Sequence, residues 1–155
     1  MATWNLPPIT KVYEALSAVA DGRVKLTGET SAQVVSSGGD KTYTITWSPD
    51  GSEITSNDST TRWHGYLGYP IIAVLLFTGR LPYNPSVARW LAGAPWHDLN
   101  EQYKRNYDAA VDCVLERLQQ GGGGAGAVRA EAVRIYEALA RLGLKRPSRL
   151  SYSRP

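Results

Sequence analysis

Between Ile71 and Phe77 the chain reads Ile-Ile-Ala-Val-Leu-Leu-Phe, seven apolar residues without a polar interruption. Pro70 stands at the front of the run and Gly79 just past its end. Proline suits the first turn of a helix, where its missing N–H costs nothing, and glycine suits the left-handed residue that follows a helix. The segment is far shorter than the roughly 20 residues that cross a bilayer. A helix that is apolar on every side has no face for water. Residues 70–78 are therefore expected to form a buried central helix, and the other segments must supply the layers that cover it.

Those layers are legible as periods. From Pro8 to Ala20 the apolar residues Ile9, Val12, Tyr13, Leu16, Val19 and Ala20 recur every three or four positions, an amphipathic helix ended by Asp21-Gly22. Over residues 23–56 the period changes to two, most clearly at Tyr43, Ile45 and Trp47, which alternate with three threonines. Gly38-Gly39-Asp40 and Pro49-Asp50-Gly51 separate the runs as turns. The reading is an antiparallel meander of three or four strands. Ser56–Arg62 is a polar loop. Asn84-Pro85 opens a short helix that Gly93 stops, and Asp98 with Glu101 reads as a capping box for one long helix to about Gln119. Gly121–Gly126 is a low-complexity linker, and Val128–Leu142 is the last helix. The fold class is α+β: a small meander with one face packed by about five helices. The domain reading is a globular core over 1–120, a glycine-rich linker over 121–127, a helix over 128–143 that packs on the same domain or on a neighbouring subunit, and a basic flexible tail over 144–155. Lys11–Leu16 (KVYEAL) echoes Arg134–Leu139 (RIYEAL). Two such copies do not make a repeat array and read as one packing solution used twice.

Charge is uneven along the chain. Arg141, Lys145, Arg146, Arg149 and Arg154 are five of the 17 basic residues, and no acid lies among residues 141–155, so residues 1–140 hold 12 basic against 14 acidic. The net charge of +3 belongs to the tail, and the body is close to neutral. With a single Cys no internal disulfide forms, and the first residues lack the basic-then-apolar pattern of a signal peptide. A cytoplasmic protein without a membrane partner is the expectation. One Met and one Cys also match the usage of a heat-adapted source.

Chemistry is harder to read. Trp63-His64-Gly65-Tyr66-Leu67-Gly68-Tyr69 places aromatics at every third position. Trp63, Tyr66 and Tyr69 would make a stacking platform for bases or sugars, or would seal the entry to the buried helix. Asp58 and His64 are the candidate acid/base pair, set against the commoner role of Asp in a loop as a turn former. His64 and His97 are the only histidines and lack companions at metal-ligand spacing, so no metal or cofactor is expected. Cys113 reads as an ordinary mid-helix thiol. Lys145, Arg146, Arg149, Tyr152 and Arg154 form a basic, aromatic-bearing end that would contact nucleic acid through phosphate and stacking. No phosphate-loop or dinucleotide pattern occurs. Three functions are compatible with these residues: a non-catalytic binding or interaction module, including self-association; a nucleic-acid binder that uses the tail; and a small enzyme with a pocket around residues 57–69. The balance falls on the binding module and against an enzyme, because tryptophan and tyrosine abound and no catalytic constellation is written in the chain.

Overall fold

The computed structural model describes residues 2–147. The fold is α+β: a four-stranded antiparallel sheet and, among the described residues, seven α-helices. The strands β1 (Val24–Gly28), β2 (Ser31–Val35), β3 (Thr42–Trp47) and β4 (Ile54–Ser56) lie side by side in chain order. Their register follows the period-two pattern. Val34 pairs with Val24 and Tyr43, Ala32 with Ile45, and Trp47 with Ile54, which gathers the apolar side chains on one face. Gln33, Thr44 and Thr46 point the other way and are exposed.

Helix α3 (Tyr69–Phe77) is the expected hub: Ile71 to Leu76 are all buried. It packs against all four strands and against α1 (Thr10–Ala20). The run is not buried to its end, however. Phe77 is 46% exposed, because the helix closes there, with Gly79 in the left-handed region at φ 82°. The larger departure is α1. An amphipathic helix should keep one wet face, but every residue from Thr10 to Ala18 is buried. Helix α3 covers one part of it; α4 (Pro85–Ala88), the following 3-10 turn (Arg89–Leu91), α6 (Tyr107–Gln120) and α7 (Ala125–Leu142) also pack against it. Its polar residues are consequently inside, where burial is unfavourable without a partner; Lys11, Glu14 and Ser17 have one, and Thr10 Oγ1 has none. Ser17 Oγ donates to the Leu91 carbonyl at 2.8 Å and accepts from Trp96 Nε1 at 2.7 Å.

The segment read as a polar loop is in fact a short helix, α2 (Ser59–His64). Asp58 caps it, accepting from Thr61 N at 3.0 Å, Thr61 Oγ1 at 2.9 Å and Thr60 Oγ1 at 2.6 Å. Gly68, which opens α3, lies against this cap and donates to Thr61 Oγ1 at 3.0 Å. The long helix expected from Leu99 is broken in two, α5 (Trp96–Gln102) and α6. Pro95 rather than Asp98 stands at the cap of α5. The break is a corner in which Lys104 and Arg105 have φ of 54° and 66°, the only non-glycine residues with positive φ among those described. Each such residue costs about 1–2 kcal/mol in local backbone energy. Asn106 restarts the chain as the cap of α6, accepting from Ala109 N at 3.2 Å. These two changes raise the helix number from five to seven.

The glycine-rich stretch is a compact turn over 121–124, and α7 starts at Ala125 rather than Val128. Gly124 has φ of 97°, and an added Cβ would sit 2.8 Å from the Trp90 ring. The start of the segment read as a free basic tail is tied down. Leu144 is buried, and Lys145 forms bridges to Thr3 on one side and Glu53 on the other. Residues 148–155 lie outside the described residues. No described helix is long and apolar enough to cross a membrane.

The contact between the Asp58 cap and Gly68 is the tightest joint on the way into α3. A Cβ at Gly68 would meet the Asp58 carboxylate, with Thr60 Oγ1 at 2.7 Å and Thr61 Oγ1 at 2.8 Å. Gly68→Ala should therefore destabilise the protein by about 1–3 kcal/mol, the usual cost of overpacking. Gly126→Ala, where an added Cβ meets nothing within 4 Å, should be neutral or stabilising by up to about 1 kcal/mol. Urea unfolding of the two variants checks the contrast, and equal effects would contradict this packing.

Candidate functional site

The buried polar residues of α1 lead to the site. Lys11 and Glu14 are three positions apart and so share a face of the helix. Their side chains are 4% and 9% exposed, and Lys11 Nζ lies 3.2 Å from Glu14 Oε2. The ammonium also sits 3.8 Å from the centre of the Tyr107 ring, at the start of α6. Asn100 of α5 donates to Glu14 Oε1 at 3.5 Å. Burial raises the Glu14 pKa above the ordinary carboxylate value, and the neighbouring Lys11 ammonium opposes that rise. Two charges withdrawn from water in this way hold each other in place.

This pair forms the floor of a cleft of about 440 Å³. One wall is aromatic. Tyr69 from the start of α3 and Tyr43 from β3 meet edge to face, with ring centres 6.2 Å apart. Burial raises the pKa of both hydroxyls, and Tyr69 is the more affected. A second wall is the β2–β3 turn. There Ser36 Oγ donates to Asp40 Oδ1 at 3.1 Å and accepts from Lys41 N at 3.2 Å. Ser37 Oγ accepts from His97 N at 2.9 Å and so ties the turn to the start of α5. The mouth carries Lys41 from that turn and Lys104 and Arg105 from the α5–α6 corner, all exposed. His97 and Glu101, 3.8 Å apart, stand between them on α5.

Of the proposed stacking aromatics and the proposed acid/base pair, Tyr69 lines this cleft, and His97, weighed as a metal ligand, stands at its mouth. Trp63 is 76% exposed, with the Arg62 guanidinium 5.6 Å from its ring centre. Tyr66 is half-buried and stacks on His64 with 5.6 Å between ring centres. The three aromatics thus have three different surroundings. Asp58 is buried, and its carboxylate oxygens accept the helix-cap hydrogen bonds of α2, whereas His64 is exposed. Arg146 lies over Trp4 at 4.6 Å and donates to the Gly65 carbonyl at 3.2 Å, and the Lys145 backbone bridges two segments. Both tail residues are therefore engaged in holding the chain ends together. Arg149, Tyr152 and Arg154 lie outside the described residues. No three His, Cys, Asp or Glu side chains gather into a metal-binding group among those described.

The charged and turn residues of the cleft carry no mark of a site in the sequence. Lys11 and Glu14 look like any solvated pair on a helix, and Ser36–Lys41 looks like a turn and nothing more. Asn106 was the available signal for the corner, since Asn followed by a helical run is a cap pattern.

An α+β core of two buried helices with a polar cleft at one end is thus the class of protein that the fold defines. The match to known families narrows this: residues 4–145 match the family described as Uncharacterised conserved protein UCP014422, and the chain belongs to that family. No curated protein and no solved structure matches it.

Two measurements test the site geometry. Removing one partner of a buried ion pair strands the other, so Lys11→Met or Glu14→Leu alone should cost about 3–5 kcal/mol. The double variant should cost distinctly less than the sum of the two, and additive losses in urea unfolding would mean that the charges do not interact. The raised pKa of Tyr69 keeps its hydroxyl protonated in the folded state, while the unfolded chain ionises above about pH 10. Its contribution is therefore intact below that pH and is lost as the pH rises beyond it. Tyr69→Phe should make the fall of the urea midpoint from about pH 9 to 11 shallower, and parallel curves would contradict the burial of that hydroxyl.

Proposed function

We propose that this protein is a binding module that takes a small polar molecule into the cleft above Lys11 and Glu14. One observation carries the reading. A charged pair is held at the bottom of a 440 Å³ opening, although an all-apolar interior would cover α1 at less cost. Cavities of this size, with an aromatic wall and a few fixed polar groups, suit small ligands. Tyr43 and Tyr69 supply the wall, and Lys11, Glu14 and Asn100 supply the fixed groups. The β2–β3 turn and the α5–α6 corner are then the two lips of the site, and the Ser37–His97 hydrogen bond ties the turn to the start of α5.

A thermal-shift screen with carboxylates, phosphate esters, amines and sugars tests the proposal. At a hundred times its Kd a ligand stabilises the folded state by about 2.7 kcal/mol. In a domain of this size that amounts to a rise in Tm of about 5–10 °C. Amide shift changes on binding should then concentrate in residues 36–41 and 97–107. No stabilising compound, or shift changes centred on Trp63–Tyr66, would contradict the proposal.

A further inference from the structure

We infer, building on the reading of the cleft as a ligand site, that its ligand is a small dianion whose charged group is held at the mouth by Lys41, Lys104 and Arg105. The charges around the cleft do not cancel. Among the residues that line it, four cations, Lys11, Lys41, Lys104 and Arg105, face two carboxylates, Glu14 and Glu101, with Asp40 behind the wall on Ser36 at 3.1 Å. Glu14 is taken by Lys11 at 3.2 Å, and Glu101 faces His97 at 3.8 Å. The three remaining cations have no carboxylate partner among the described residues. They come from two separate parts of the chain and meet at one opening, whose low-dielectric walls concentrate their field on whatever enters.

The backbone supplies a second, independent observation. Lys104 and Arg105 are the two described non-glycine residues with positive φ. Glycine would adopt that conformation without strain, and asparagine with less. The chain instead carries two long cationic side chains there, both at the edge of the cleft. Strain retained at a site is a mark of function, and the function these side chains can serve is to meet an anion. An Arg fork and an ammonium together suit either a phosphate monoester or a pair of carboxylates. Either matches the surplus of two positive charges among the lining residues.

The experiment pairs matched probes with one double variant. Calorimetric titration compares glycerol phosphate, succinate, glycerol and putrescine, and repeats the series on Lys104→Gly/Arg105→Gly. A dianion should bind at least about tenfold more tightly than glycerol, and the variant should lose about tenfold or more of that affinity while its Tm rises, as strain is relieved and charge-assisted hydrogen bonds are lost. Glycerol phosphate binding without succinate identifies a phosphate group, and the reverse identifies a dicarboxylate; both support the inference. Dianion affinity unchanged in the variant would overturn it. Saturable binding of glycerol or putrescine in preference to the dianions would also overturn it, yet leave the cleft standing as a ligand site. Binding of no probe to the wild-type protein would remove the inference, and failure of the broader thermal-shift screen as well would remove the cleft reading with it.

Discussion

Two helices in this protein are without a wet face, and the rest of the structure depends on their contact. Helix α3 is apolar from Pro70 to Phe77 and over that length needs nothing but cover. Helix α1 is buried just as completely over Thr10–Ala18 but carries Thr10, Lys11, Glu14 and Ser17 into the interior. Burying such groups is unfavourable unless each finds a partner. Three of the four find partners, and these come from distant segments as well as from each other: Leu91 and Trp96 for Ser17, Asn100 and Tyr107 for the charged pair, while Thr10 Oγ1 is buried without a hydrogen-bond partner. The helices that follow α3 are thus placed by hydrogen bonds and charge as well as by apolar packing. A buried polar network specifies one arrangement of its neighbours more sharply than apolar surface does.

The cleft is a consequence of that arrangement. Lys11 stands near the start of α1, where the β2–β3 turn, α5 and the first residue of α6 converge. A continuous helix from Leu99 to Gln119 would run straight past this end. The corner at Lys104–Arg105 turns the chain so that α5 supplies Asn100 while α6 supplies Tyr107. Local backbone cost at the corner is thereby linked to the shape of the opening, and the same two residues set the charge at its rim. Fold and site are not separable here: the side chains that satisfy α1 also line the cleft.

The apolar hub, the meander and the glycine stops could be read from the chain because each rests on local pattern. Seven unbroken apolar residues, the alternation at Tyr43–Trp47 and the Asn84-Pro85 opening carry their own physical signal. The burial of α1 could not be read in this way. Its Lys11–Glu14 spacing is that of a surface pair, and its echo Arg134–Glu137 keeps Arg134 and Glu137 exposed; tertiary cover, not sequence, separates the two copies. The α5–α6 break was missed for a related reason. Leu99, Tyr103, Tyr107 and Ala110 keep helical spacing across it, so periodicity passes over a corner that backbone strain at Lys104 and Arg105 creates. Among the candidate site residues Tyr69 falls in the cleft, because the aromatic entry to α3 does face it. Asp58 was legible as a turn former, and capping α2 is a closely related use of its carboxylate.

The central claim is that α1, polar residues included, is as deeply held as α3. Native-state hydrogen exchange measures this directly. The amides of Val12–Ala18 and of Ala73–Phe77 should form one most-protected set, exchanging only through global unfolding and sharing one denaturant dependence. Exchange of the α1 amides through a smaller, separate opening while α3 stays protected would show that α1 is peripheral, and would contradict the account of both the fold and the cleft built upon it.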